Sequence, residues 1–257
     1  MRQCWKQFQE IELESLSLQT AEYERMYALE DQYWWFVARR ELALQFLATV
    51  VPPNASILDV GCGTGKGQES FGKLGTVYGV DFSQDALMFC HTRGLERIAR
   101  ANAEALPIQS EKFDIVVTLD TIEHIPDDYK AVSEISRILK PGGVILLNVP
   151  AYQWLWGPHD VALMHQRRYS RTQVRKLLES NGFTIERLSY HIFFLFPLVA
   201  LSRFLSKFKK GEPDAKLPEL PGWVEEIFKV IQRGEAAIIA RSNLPWGSSI
   251  VALARKK

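Results

Sequence analysis

The stretch ILDVGCGTGKG, residues 57–67, decides how the chain is read: an apolar run with one acid, Asp59, leads straight into four glycines, Gly61, Gly63, Gly65 and Gly67. Glycine is used where φ must be positive or where a ligand must touch the main chain. A ligand is therefore expected against this turn. Outward from it, apolar runs alternate with helical stretches: SILDV, then a helix to about residue 73; TVYGVDF, then a helix to about 93; RIARAN; FDIVVTLD; and the helix DYKAVSEISRIL, stopped by KPGG before the strand VILLNVP. Such alternation builds a parallel sheet. The runs are rich in Val and Ile without polar alternation, as strands covered on both faces are.

The flanks extend this core. Residues 20–50 place Tyr23, Met26, Tyr27, Tyr33, Trp34, Val37, Leu42 and Phe46 at helical spacing, with a break near Asp31 and a stop at Pro52-Pro53. After Pro150 comes AYQWLWGPHDVALMHQRRYS, an aromatic and basic loop of the kind that carries function. Ser170 is the expected N-cap of the next helix and Asn181-Gly182 its end; FTIERLSYH reads as a sixth strand and SSIVALARK as the last. The domain organisation expected is a helical cap at 1–54, a core at 55–190, a helical insertion at 191–243 and a closing strand at 244–257.

Composition excludes several classes. Lys+Arg 31 against Asp+Glu 30 gives a formal charge of +1, so no overall field draws the chain to nucleic acid. Cys4, Cys62 and Cys90 form no metal-binding pair and no disulfide framework, which fits a reducing, cytoplasmic setting. The first residues lack the layout of a secretory signal, and the longest apolar run, IFFLFPLVAL at 192–201, is half the length of a membrane span and contains Pro197.

Spacing separates the ligands that use such a glycine turn. A nucleoside triphosphate loop needs a different distance between its leading glycine and GK, and Gly67 follows Lys66 where Ser or Thr is required. A dinucleotide fingerprint needs glycine where Lys66 stands. The remaining pattern, Asp59-x-Gly61-x-Gly63-x-Gly65, resembles motif I of the class I S-adenosylmethionine-dependent methyltransferases. VYGVDFS, ANAEALPI, FDIVVTLDTIEHIPD and ILKPGGVILLNVP are similar to that family's later motifs, in order, from about 55 to 150.

The resemblance implies a Rossmann-like α/β fold: a seven-stranded, mostly parallel sheet with an antiparallel last strand, N-terminal helices and a helical insertion before that strand. It implies S-adenosylmethionine as cofactor and S-adenosylhomocysteine as product. Asp59, Gly61, Gly63 and Gly65 would hold the methionine end, Asp59 either ordering the loop or meeting the amine. Asp81 would take both ribose hydroxyls, with Phe82 against the adenine. Asn102, where the family has an acid, and Ala103 would meet the adenine edge, and Asp120 would close the site.

For a hydroxyl acceptor the informative residue is the base. His165 is the first choice, in HQRRYS, where Arg167, Arg168 and Tyr169 could orient an oxygen-rich acceptor and the arginines could keep the imidazole neutral; Trp156 lies in the same loop. His124 and His159 are the other candidates. Asp120-x-x-Glu123-His124 also resembles the ExxEH stretch of ubiquinone-pathway and small-RNA O-methyltransferases, where the acids and His hold a divalent metal; in relatives without metal the pair caps the following helix, and no metal is the main expectation. The part beyond 150 is similar to bacterial methyltransferases found with sugar- and lipid-processing enzymes. The reading is O-methylation of a small saccharide, lipid-linked glycan or phenol. The competing classes are an NAD(P)-binding oxidoreductase and a non-catalytic cofactor-binding scaffold. IFFLFPLVALSRFLSKFKK suits a membrane surface, a homodimer contact or a lid on its own domain.

Overall fold

The computed structural model describes residues 20–208 and 215–257. Cys4 and the N-terminal segment read against a secretory signal lie outside them. Two helices, α1 (Thr20–Leu29) and α2 (Trp34–Ala48), lead to β1 (Ala55–Val60), α3 (Lys66–Phe71), β2 (Gly75–Asp81), α4 (Gln84–Thr92), β3 (Ile98–Arg100) and β4 (Phe113–Leu119). There follow α5 (Asp128–Ile138), β5 (Leu139–Pro150), the short α6 (Pro158–Ala162), α7 (Arg171–Ser180), β6 (Phe183–His191), α8 (Phe196–Ser206), α9 (Gly222–Ile239) and β7 (Ser249–Lys256).

The strands form one seven-stranded sheet in the order β3-β2-β1-β4-β5-β7-β6. β7 runs antiparallel to both β5 and β6, and the pairings among the first five strands are parallel. The expected fold class is borne out. Alternate residues bury the two faces: Ile145, Leu147 and Val149 of β5 pack with α5 and α7, while Val144 and Leu146 face α2 and the end of α9. With both faces covered, a continuous apolar run is what each strand must be. Ser170 caps α7 as expected, accepting the Gln173 amide at 3.2 Å.

Two boundaries differ from expectation. α2 ends at Ala48, before the prolines, with Thr49 Oγ1 donating to the Phe46 carbonyl at 2.7 Å. The KPGG segment does not separate α5 from β5; β5 begins at Leu139, which pairs with Phe113, and absorbs Lys140–Gly143 through a register shift. A Cβ at Gly143 would sit 3.1 Å from the Asp114 carbonyl, so the strand needs glycine there to stay close to β4.

One acid of α9 holds the chain where it leaves β6. Glu235 of α9 is 0% exposed and accepts the amides of Ile192, Phe193 and Phe194 at 2.5, 2.8 and 3.1 Å. Ile192 has φ 61°, a conformation that a β-branched residue adopts only when its surroundings impose it. Glu235→Ala strands these amides, and the expected loss in unfolding free energy is roughly 3 kcal/mol or more, with Glu235→Gln losing less because one acceptor oxygen remains. Urea unfolding of both variants checks this; equal stability of all three proteins would remove Glu235 from that role.

Candidate active site

The glycine loop lies at the carboxyl edge of the sheet, where open α/β folds bind ligands. Gly61, Gly63 and Gly65 have φ of 75°, 53° and 87°. A Cβ at Gly61 would fall 2.2 Å from the Thr121 side chain, so the loop can pass β4 only without one. Asp81, at the end of β2, accepts the Gly63 and Ser83 amides, each at 2.9 Å. Each oxygen keeps a lone pair for a further donor. Asp59, near the end of β1, is 4% exposed, and among the described residues no side-chain hydrogen bond balances it. Burial pushes its carboxyl up to about 7 against the opposing pull of Arg39, with Asp81 and Glu30 adding to the rise.

Asn102 uses its side-chain oxygen to hold the Glu104 amide at 2.9 Å, and Ala103 packs at the edge of the core below it. Phe82 is half-buried, with the Arg100 guanidinium 5.5 Å from its ring centroid. Asp120 has φ 51° and is paired with Arg39, while Asn148 donates to its other oxygen at 2.8 Å.

Several participants were not legible in advance. α1 lies over the glycine loop: Tyr23 hydrogen-bonds Ser83 beside Asp81, and the Met26 sulfur is the nearest atom to the space a Cβ would take at Gly63. Glu30, 6% exposed, accepts from Thr64 and Arg93, and Arg93 Nε donates to the Thr64 carbonyl at 2.9 Å. The helical spacing of Tyr23, Met26 and Tyr27 signalled a buried face without saying what it covers.

The histidines meet in a second cluster. His124 ends a 3-10 turn after β4, and the Gln166 amide donates to the Glu123 carbonyl at 2.7 Å, drawing the loop after α6 against that turn. The His124 and His165 rings stand edge to face, 4.6 Å between centroids. Asp160, 0% exposed, faces His165 Nδ1 at 3.0 Å and takes Arg168 Nε at 2.8 Å and the Gly157 amide at 2.9 Å. Burial works against its charge, but His165, Arg168 and Arg203 outweigh it and hold the carboxyl well below the usual range. Burial and His165 push the His124 imidazole down to about 3, opposed by a ring N–H donated to the Leu163 carbonyl. His159, half-buried on α6, is pushed down to about 3 by burial and Arg203.

The side chains assigned to the acceptor hold the loop instead. Arg167 pairs with Asp128 at 3.0 Å and donates to the Pro126 carbonyl. Arg168 joins Asp160 to the Ala151 carbonyl, and the Tyr169 hydroxyl donates to Asp128 at 2.8 Å. Trp156 stays half-buried beside them. The group facing His165 is thus an anion, Asp160, rather than the two arginines expected to keep it neutral. The Asp120–Glu123–His124 set is also corrected, because Asp120 is held by Arg39. His165 takes its place: Glu123, His124 and His165 offer ligand atoms within 4.8 Å of one another. Glu123 is 0% exposed, and neither side-chain oxygen meets a partner in another residue.

Comparison with known proteins accords with this geometry. Residues 58–147 match a family described as a methyltransferase domain. A protein of Mycolicibacterium smegmatis named "Probable S-adenosylmethionine-dependent methyltransferase" is 31% identical over 161 residues, covering 61% of this chain and 62% of its own. A ubiquinone biosynthesis O-methyltransferase of Hydrogenovibrio crunogenus is 31% identical over 37% of this chain and 42% of its own. The chain thus spans between about two fifths and three fifths of the length of these curated relatives. Among solved structures, a SAM-dependent methyltransferase from Thermotoga maritima aligns with a TM-score of 0.60 at 19% identity, over 92% of this chain and 96% of its own, and shares the fold. The domain and the fold imply S-adenosylmethionine, and the NAD(P) reading falls: a dinucleotide sheet runs 3-2-1-4-5-6, without an antiparallel strand between the fifth and sixth.

Asp59 gives a test by pH. Its carboxyl has an ordinary value of 3.8 and rises to about 7 in the fold, so between those values the folded chain holds a proton that the unfolded chain releases. Stability from this group is present below 3.8 and is lost as pH rises to about 7. The unfolding free energy of wild type relative to Asp59→Asn should therefore fall over that window and level off above it. Parallel pH profiles in urea unfolding would show Asp59 to be unperturbed.

Proposed function

We propose that this chain, which has the class I methyltransferase fold and a methyltransferase domain at residues 58–147, moves a methyl group from S-adenosylmethionine to a hydroxyl oxygen of a small acceptor. The observation that carries the oxygen acceptor is the Asp160–His165 pair. An ionised, buried Asp160 would take the Nδ1–H of His165 at 3.0 Å and leave Nε2 free to accept a proton, in a ring that lies with His124 and Glu123. Similarity to an O-methyltransferase of ubiquinone biosynthesis supports oxygen as the atom methylated.

S-adenosylmethionine, when bound, supplies a methyl carbon on a positively charged sulfur and leaves as S-adenosylhomocysteine. What remains for the chain is alignment and, for a hydroxyl, removal of the proton as the methyl arrives. Asp59 would meet the methionine ammonium, Asp81 the ribose hydroxyls, and Phe82, Asn102 and Ala103 the adenine. His165 takes the hydroxyl proton, with Asp160 stabilising the imidazolium. His124, pushed down to about 3, stays neutral and lets His165 act alone.

One observation favours a second reading, the unpartnered oxygens of Glu123. Glu123, His124 and His165 could hold a divalent cation, and the outer contacts fit: Asp160 and the Leu163 carbonyl orient the two imidazoles as outer acceptors orient metal-binding ones. The cation would lower the pKa of an acceptor hydroxyl. Thermal unfolding with magnesium, manganese or zinc separates the readings. A rise in Tm that Glu123→Gln abolishes, with activity lost on chelation, establishes the metal; activity indifferent to chelator leaves His165 as the base.

His165→Gln is expected to lower kcat by about 10²- to 10⁴-fold with S-adenosylhomocysteine binding unchanged. A loss below tenfold with a turned-over hydroxyl acceptor would pass the role to His124 or to positioning alone. Absence of methyl transfer to any hydroxyl, with cofactor binding intact, would leave the non-catalytic scaffold reading.

A further inference from the structure

We propose that the exposed face of α8 is a docking surface for an anionic lipid bilayer. The helix has no fully buried residue. Phe196, Val199 and Ala200 are half-buried toward the domain, Val199 packing against the Tyr33–Trp34 cluster, but a second apolar face is left outside. Arg203 and Ser206 are half-buried, with Arg203 3.8 Å from Asp160, while Leu198, Leu201, Phe204, Leu205 and, just past the helix, Phe208 are 53–71% exposed. Leu198, Leu201, Leu205 and Phe208 fall at helical spacing on one face.

Aromatic groups border this stripe. Trp154 is 58% exposed, its ring lies 6.1 Å from Phe196, and its carbonyl takes Lys207 Nζ at 2.8 Å. Just before the helix, Phe193 stacks at 4.8 Å on Trp246, 48% exposed, and meets Phe194. Exposed Trp, Phe and Leu beside Lys and Arg are the composition of a helix lying in the plane of a membrane interface.

Charge selects the occupant. Between residues 192 and 210 the sequence holds Arg203, Lys207, Lys209 and Lys210 and no acid. A two-fold dimer through this face would set one copy's basic stretch against the other's, since such an interface presents the same patch from both sides. An anionic headgroup layer instead complements it. The helix has 11 residues, roughly 16 Å at 1.5 Å per residue, so it lies on a bilayer and does not cross it. No helix among the described residues is long and apolar enough to span a membrane. Because Arg203 approaches the Asp160 that orients His165, the docked face borders the candidate site.

The test is cosedimentation of the full chain with vesicles of phosphatidylcholine alone and of phosphatidylcholine mixed equally with phosphatidylglycerol. Binding to the mixed vesicles is expected, weakening with salt. Leu201→Gln/Leu205→Gln should reduce it by about tenfold or more, and Lys207→Glu should weaken it, while circular dichroism and S-adenosylhomocysteine binding match wild type. A monomer that ignores both vesicles overturns the proposal. So does binding that the double variant leaves intact, or a wild-type dimer that the double variant dissociates without any vesicle binding.

Discussion

The candidate cofactor edge hangs from the carboxylate of Asp81. A loop built from glycines has almost no side chains with which to hold its own shape, so its order has to come from neighbours. Asp81 provides it by taking the Gly63 amide from the loop and the Ser83 amide from its own strand end. With the loop fixed, its carbonyls point to waiting donors: Thr64 O to Arg93 and Gly63 O to Cys90 Sγ at 3.2 Å. The first strand, the second strand and α4 are thereby joined by hydrogen bonds beside the small apolar cluster of Cys62, Leu87 and Cys90.

The same edge gathers buried acids, and their pairing divides them into two groups. Asp160 has Arg168, Arg203 and His165 about it and keeps its charge as part of the structure. Asp120 is matched by Arg39. Asp59 and Glu123 lack such matches, and burial pushes both carboxyls up. An acid already neutralised by its own chain has little left for a ligand, whereas one held unmatched gains from a cation brought to it. One unmatched acid stands at the glycine loop and the other with the histidines, so electrostatics and sequence pattern single out the same two places.

The strands were legible in sequence because a sheet covered on both faces demands unbroken apolar runs, and the glycine loop because its backbone demands left-handed φ. Asp81 was legible for the same local reason, standing at the end of such a run. Glu123–His124 could be seen as a pair, but not their neighbour: His165 arrives through the Gln166–Glu123 main-chain contact, which is a fact of topology. Asp160 stood unnoticed because its helix, α6, is only five residues long, too short to show a period from which to read a contact. The arginines of HQRRYS misled for a related reason. Their charge was visible, while Asp128 and Asp160, which claim them, are brought there only by the fold.

The placement of α1 gives the glycine loop a cover drawn from outside the sheet. Asp59 and Asp81 are 4% and 8% exposed, Tyr23 stands beside Asp81 and Met26 beside Gly63, and the Tyr27 ring lies tilted against Phe89, 5.0 Å between centroids, beneath the Arg93 guanidinium. Where that helix ends, Glu30 takes Thr64 and Arg93, so the ten-residue α1 is tied at its last turn to the same loop that its side chains cover.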